Sequence, residues 1–296
     1  MHDWKKMKKF KILIPVYNDW GSVFKLLEKI DIEISIFDHE FSVILVNDSS
    51  TQKMIKNNFV FKNLKSVIVV NMKKNQGHTK SNATGIKFLS KKKDFDFLIV
   101  MDGDGEDRPE EIKSLVKEAL NNEASVVAKR VKRSEGIFFQ TLYQIHKIIT
   151  LFFTGKNMNF GNYCCLTRKD VEMLSTKKSL WGSFPGSVKK YIPKALKVPS
   201  IRGSRYEGPS KMSLYKLIIL SLSIIAVFKY QVLIRSLIYI SILYFLIKLQ
   251  FTLIVILQTL ILLFVISIFL ISKEENILSL ESSTKDIEGI TNIYTK

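Results

Sequence analysis

Residues 97–111 read FLIVMDGDGEDRPEE. An apolar run, 97–101, ends abruptly in Asp102-Gly103-Asp104-Gly105-Glu106-Asp107, and Arg108-Pro109 then opens a helical pattern. This describes a buried strand that delivers carboxylates to its C-terminal end. The intervening glycines let the chain turn tightly and let a ligand come close. Asp102 and Asp104, one residue apart with Glu106 behind them, suit a hard divalent cation that keeps water and phosphate oxygens as its other ligands. An acidic, glycine-rich turn is equally the composition of a solvated loop, so the context has to decide. A calcium loop is disfavoured, because it needs Gly where Asp107 stands and Glu where Lys113 stands. Asp107, with Pro109 in the first turn and Glu110 three residues on, is expected to be a helix N-cap in a capping-box arrangement and not a metal ligand.

The chain has 296 residues, enough for one large domain and an appendage. Lys+Arg 45 against Asp+Glu 27 gives a formal charge of +18, which suits an anionic partner: nucleotide phosphates, a membrane surface or nucleic acid. Nucleic acid is the weakest of these, since no zinc-finger spacing or single-strand-binding aromatic pattern is present. Cys164 and Cys165 are adjacent, which implies neither a structural disulfide nor a metal framework and fits a reducing compartment. The N-terminal MHDWKKMKKF has no apolar core of a secretory signal.

Composition changes at about residue 213. From Gly208 to Lys273 there is no acidic residue, and the chain turns rich in Leu, Ile and Phe. At 1.5 Å per residue, about 20 residues span a bilayer core. Residues 251–271 qualify, and residues 230–247 qualify with Arg235 snorkelling near their start. Lys248-Leu249-Gln250 is then a tight turn on the far side. Residues 214–228, bounded by lysines, are expected to form an interfacial helix. The expected organisation is a cytoplasmic domain at 1–212, an interfacial amphipathic helix at 213–229, a two-helix transmembrane hairpin at 230–272 and a polar, poorly ordered cytoplasmic tail at 273–296.

Within the first domain, strands are expected at 11–17, 41–46, 67–70, 97–101 and 125–128, alternating with helical patterns at 23–30, 79–89 and 110–120. That alternation predicts an α/β fold, a mostly parallel sheet with flanking helices. Ligands bind such sheets outside the carboxyl ends of the strands. Four polar clusters fall there: Tyr17-Asn18-Asp19, Asn47-Asp48-Ser49, the stretch from Asn75 through Gly77 to His78, and Asp102 to Glu106. No Gly-x-Gly-x-x-Gly or Gly-Lys-Ser/Thr loop occurs. Residues 129–136, with Arg130 and Arg133, read as a basic turn able to hold phosphates, or as a solvated loop. Residues 137–153 are an aromatic, apolar helix, 160–166 a strand returning to the site, 168–174 a short helix, 180–186 a loop and 198–201 a strand. A second basic loop, 202–211, precedes the membrane segment.

These residues resemble glycosyltransferase family 2 with the GT-A fold. The matching stretches are ILIPVYND (12–19), VILVNDSS (43–50), NQGHTKSNATGIKF (75–88), IVMDGDGEDRPEEI (99–112) and RYEGPSKMS (205–213). The layout is most similar to the polyprenyl-phosphate glycosyltransferases, including the dolichol-phosphate mannose synthase type. The resemblance implies that Asp102 and Asp104 bind Mg²⁺ or Mn²⁺ together with a nucleotide-sugar diphosphate, with Glu106 as a third candidate where the family commonly has Gln. It implies nucleotide contacts at Pro15, Tyr17 and Asp48, and donor-binding roles around Asn18, Asn75, Gly77, His78 and Lys80. Phosphate contacts are implied at Arg130, Arg133, Arg205 and Lys211, with Ser210 in the distal Gly-x-Ser-Lys. The chain departs from the family at residues 47–50, where Asp-Asp-Gly-Ser is usual, so the nucleotide is left open.

The implied reaction is metal-dependent, inverting transfer of a sugar from a nucleoside-diphosphate sugar to a polyprenyl phosphate at the cytoplasmic (inner) membrane. A phosphate acceptor is already anionic and needs no general base. The alternatives are a family member that extends a lipid-linked saccharide in cell-surface polysaccharide synthesis, and a membrane scaffold without activity. The processive Gln-x-x-Arg-Trp motif is absent. Self-association is left open.

Overall fold

The computed structural model describes residues 7–54, 60–132, 137–208, 213–246 and 250–296. The chain starts with β1 (Lys9–Val16), α1 (Trp20–Glu33), β2 (Glu40–Asn47), β3 (Leu64–Met72), α2 (His78–Ser90) and β4 (Phe97–Val100). It continues through α3 (Ile112–Asn122), β5 (Val126–Lys132), α4 (Ile137–Thr154), β6 (Phe160–Thr167) and α5 (Arg168–Leu174). Then come α6 (Ser179–Gly182), α7 (Phe184–Tyr191), β7 (Leu196–Ile201), α8 (Leu214–Ala226), α9 (Lys229–Phe245), α10 (Phe251–Ile271), α11 (Ile277–Ser282) and β8 (Ile287–Thr295).

The eight strands form one sheet in the order β7-β5-β6-β4-β1-β2-β3-β8. Its centre, β4-β1-β2-β3, is parallel, as the alternation of elements predicts. β6 runs antiparallel between β4 and β5, and β7 is parallel to β5. Side chains alternate across the sheet with period two. Phe10, Ile12, Ile14 and Val16 of β1 join one core layer under α1 and α3, and Leu13 joins the other under α2. In α1, Trp20, Val23, Phe24, Leu27 and Ile30 recur at helical spacing and all face the sheet. Burying each such side chain contributes about 1.5–3 kcal/mol. Gly85 lets α2 sit close to the sheet: a Cβ there would stand 2.5 Å from Leu13 Cδ1.

Three expectations need correction. The tail is not poorly ordered: β8 pairs antiparallel with β3 and forms the sheet's edge. Its hydrogen bonds come from a strand more than two hundred residues earlier, so no local pattern announces it. Residues 180–186 are not a loop, since Pro185 sits in the first turn of α7 and Ser183 caps that helix by accepting the Gly186 N–H. Residues 129–132, expected in the basic turn, are strand instead, because β5 runs on to Lys132 between β6 and β7. The expected transmembrane hairpin is matched in one of its two helices. By length and composition, α10 alone among the described residues is a single helix able to cross a membrane. α8 and α9 qualify only as a pair, and they meet at 85°. The break falls at Val227 and Phe228, both buried, with Val227 packed on Gly186 of α7.

α9 and α10 run antiparallel, with Lys229 bonded to Ser272 and Gln258 reaching the Ile240 carbonyl. α4 leans on the pair: Phe152 stacks on Tyr239 at 4.1 Å, and Phe153 meets Phe264 at 4.4 Å. Residues 247–249, part of the expected turn between the two apolar helices, lie outside the described residues, as do Arg133, Ser210 and Lys211.

Candidate active site

The C-terminal ends of β1, β2, β3 and β4 open on one edge of the sheet. β6 arrives there from the other direction, so its N-terminal end meets their C-terminal ends. The register pairs Val100 with Cys164, and two residues further out Asn162 stands opposite Asp102. Asn162 Nδ2 donates to Asp102 Oδ1 at 3.0 Å. The His78 ring, at the start of α2, shares the same oxygen through Nε2 at 3.0 Å. Asp102 Oδ2 takes no hydrogen bond among the described residues. One carboxylate oxygen is therefore fixed from two sides while the other stays available.

Asp104 is held differently. Its Oδ1 accepts the Glu106 N–H at 3.0 Å, and its Oδ2 accepts from Arg205 at 2.7 Å. Arg205 also reaches Asp19 at 2.5 Å. Glu106, the third candidate ligand, is turned to Arg202. The backbone of residues 203 and 206 bonds back to the same turn, Gly203 N–H to the Glu106 carbonyl and Tyr206 N–H to the Asp104 carbonyl. The second basic loop thus lies across the acidic turn. Gly105 makes this possible: its φ is +89°, and a Cβ would stand 2.6 Å from the Tyr206 ring.

Asp107 is not the helix cap expected. It is buried and folds back to accept the Asp102 N–H at 2.9 Å, while the short helix Pro109–Glu111 starts from Arg108 without a side-chain cap. Burial first, and then the charge of Asp102, push its carboxyl up to about 7. Burial and Asp102 likewise raise Asp104, against the pull of the Glu106 N–H, Arg202 and Arg205. For Asp102 burial works in the same direction, yet the charge and hydrogen bond of His78, with Arg202 and Asn162, hold it well below the usual carboxylate range. Burial opposes the His78 imidazolium, but Asp102 by charge and hydrogen bond, helped by Asp104 and Asp107, raises it above its ordinary value. The Arg130 guanidinium lies over Gly161, next to Asn162, where burial and the neighbouring Arg202 lower its pKa.

The remaining candidates line the same edge. Asp48 is buried, and both its oxygens hold the turn into α2, Oδ1 on the Gln76 N–H at 2.8 Å and Oδ2 on the Gly77 N–H at 2.7 Å. Asn75 donates to the Asp48 carbonyl, and Gly77 adopts φ +88°. Asn18 adopts φ +51° and ties the end of β1 to Ser50, Thr51 and Gln52. Pro15 is buried, with its carbonyl against Gly103, whereas the Tyr17 side chain is exposed. Lys80 points away from the carboxylates, to Glu274 at 3.3 Å.

A family model described as Glycosyl transferase family 2 matches residues 11–173, more than half of the chain. The chain belongs to glycosyl transferase family 2. It is a glycosyltransferase, and its sheet is the GT-A sheet of that family. Among curated proteins, it is 26% identical over 226 residues to the undecaprenyl-phosphate 4-deoxy-4-formamido-L-arabinose transferase of Proteus mirabilis (strain HI4320), covering 74% of this chain and 67% of that protein. The protein of the same description from Photorhabdus laumondii subsp. laumondii is 27% identical over 220 residues, 72% of this chain and 66% of the relative. The chain thus spans about two thirds of the length of these relatives. Among solved structures, glucosyl-3-phosphoglycerate synthase from Mycobacterium tuberculosis in complex with Mn²⁺, UDP-glucose and phosphoglyceric acid matches with a TM-score of 0.54. Identity is 12%, over 76% of this chain and 80% of that one, so the likeness is one of fold. The same enzyme with Mg²⁺ and UDP gives 0.51 at 13% identity, over 76% of this chain and 79% of that one.

For a family 2 enzyme, three contacts of this site escaped the sequence. Asn162 reaches Asp102 only through the β4–β6 register. Arg202 and Asp19 act through partners about a hundred residues away or more, Glu106 and Arg205. The usable signals were a strand read as returning to the site and a loop unusually rich in arginine.

Among the described residues, no three side chains of metal-binding type converge on one point. The donor set still fits Mg²⁺ or Mn²⁺, which take one or two carboxylates and fill their remaining positions with water and phosphate oxygens. Asp102 offers an ionised, oriented oxygen. The Asp102 charge that adds to burial in raising Asp104 and Asp107 is a repulsion of the kind that a bound cation relieves.

Proposed function

We propose that this glycosyltransferase moves a sugar from a nucleoside-diphosphate sugar to a polyprenyl phosphate at a membrane surface. The observation that carries the reading is the link from the site to an exposed apolar helix: the first turn of α2 carries His78, whose ring meets Asp102, and Lys80, which pairs with Glu274 just past the end of α10. The relatives, undecaprenyl-phosphate sugar transferases by name, support the same reading. An acceptor phosphate oxygen attacks the anomeric carbon as the bond from that carbon to the leaving diphosphate breaks, and one displacement inverts the configuration. Asp102 and Asp104 would hold a divalent cation, which neutralises charge on the leaving diphosphate. Arg130 and Arg205 add positive charge for phosphates, and the sequence offers Arg133 and Lys211, outside the described residues, for the same role. Pro15, Tyr17, Asn18, Asp48, Asn75, Gly77 and His78 form the wall where the nucleotide binds. His78 and Asn162 orient Asp102.

The full chain in membranes, given labelled nucleotide sugars and undecaprenyl phosphate, is expected to yield a lipid product labile to mild acid. Transfer only to a lipid-linked saccharide would replace this reading with the polysaccharide-extending one.

The topology supports two crossings. β8 lies in the same sheet as β1, so both ends of the chain occupy one side of any membrane. A single spanning helix exchanges sides, so α10 can cross only if α9 crosses as well. α9 has 17 residues, about 26 Å, at the short end of the spanning range. The basic domain assigns the shared side to the cytoplasm. An impermeant maleimide applied to intact cells is expected to label a Gln250→Cys thiol, but a Lys296→Cys thiol only after permeabilisation. Labelling of both only after permeabilisation would overturn the two-span arrangement.

A further inference from the structure

Away from the carboxylates, a second group of charges lies where the chain leaves α10 and returns to the sheet. Lys229 Nζ, at the start of α9, donates to Ser272 Oγ at 3.1 Å. Lys80 Nζ, from the first turn of α2, donates to Glu274 Oε2 at 3.3 Å and sits 5.7 Å from the centre of the Trp181 ring. The Glu275 side chain runs along Gly182, and its buried Oε1 has no hydrogen-bond partner. Lys178, Lys190 and Lys229 surround that carboxylate closely enough to act on it electrostatically. Four lysines thus face two carboxylates, an excess of positive charge just past the end of α10.

Two features mark this as more than a structural clamp. The Lys80–Glu274 pair is long, and the Glu274 side chain is 66% exposed, a class of ion pair worth little to stability. Lys80 also shares the first turn of α2 with His78, whose ring touches Asp102, so one turn of helix reaches both the end of α10 and the carboxylates. Lysine binds phosphate as a point charge, and the Trp181 ring keeps its ammonium in place.

We propose that Lys80 and Lys229 receive the phosphate monoester of the lipid acceptor, and that Glu274 is the internal anion this phosphate displaces. The proposal rests on the lipid-phosphate reading above. A phosphomonoester carries close to two negative charges near neutral pH, so it competes well against one exposed carboxylate.

The test uses the full chain in phosphatidylcholine nanodiscs, with undecaprenyl phosphate as ligand and melting temperature as the check on folding. Lys80→Gln is expected to raise both the Kd and the KM for undecaprenyl phosphate by about tenfold, the usual worth of one charge-assisted contact. The KM for the sugar donor should stay within about twofold. Glu274→Gln is expected to act in the opposite direction and tighten lipid-phosphate binding. A clamp that only joins α2 to α10 would weaken with either substitution, so effects of the same sign overturn the proposal. An equal rise in donor KM for Lys80→Gln does so too. Competition by added phosphatidylglycerol would make this a general headgroup site and would also reject it. If the unsubstituted enzyme binds no undecaprenyl phosphate, the acceptor reading itself fails; if it binds and neither substitution matters, only this site does.

Discussion

Asp102→Asn is expected to lower sugar transfer by about three orders of magnitude, roughly 4 kcal/mol of transition-state stabilisation, with little change in melting temperature. The fold should hold because the new amide still has an oxygen for Asn162 or His78, and the backbone N–H that Asp107 accepts is untouched. What disappears is the ionised Oδ2. The informative measurement beside activity is Mn²⁺ binding, followed by electron paramagnetic resonance in the presence of nucleoside diphosphate. Asp102→Asn should lose that binding. Glu106→Gln should keep it within about twofold, because Glu106 spends its charge on Arg202. A loss with Glu106→Gln as large as with Asp102→Asn would restore Glu106 as a third ligand.

Deleting residues 287–296 should have the largest effect on stability. It removes β8, strips the hydrogen bonds from one edge of β3, and takes away Tyr294, whose hydroxyl donates to the Phe61 carbonyl at 2.6 Å and whose ring meets Phe61 edge-on. The lost ladder and partly buried apolar surface amount to about 3–5 kcal/mol. In a domain of this size that lowers the melting temperature by roughly 10 °C. The exposed β3 edge, rich in Val and Ile, should also promote aggregation. Calorimetry of the full and shortened chains decides the matter. A shift below about 2 °C would show that the C-terminal strand merely rests on the sheet.

Some of the site was legible before any coordinates. A four-residue apolar strand ending in Asp-Gly-Asp is a local pattern, and so are the strand ends at Asn18, Asp48 and Gly77. The bounds of α5 were also readable, because Thr167 and Asp170 form a cap within the segment itself. Asp107 shows where local reading fails. Its spacing from Pro109 and Glu110 is that of a capping residue, yet the glycines of the turn let it fold back under Asp102, and a buried backbone N–H claims its carboxylate.

The sequence by itself determined the alternation of strands and helices, the parallel centre of the sheet, the carboxylate pair at the end of β4 and the apolar C-terminal helices. Each follows from periodicity and turn chemistry within about twenty residues. Only the tertiary structure decided that Asn162 faces Asp102, that Arg202 and Arg205 neutralise Glu106 and Asp104, that the chain breaks between α8 and α9, and that the last nine-residue strand closes the sheet. Those outcomes depend on strand order and register, and on partners that are in one case more than two hundred residues away. No local pattern carries that information, because the groups concerned become neighbours only once the sheet has formed.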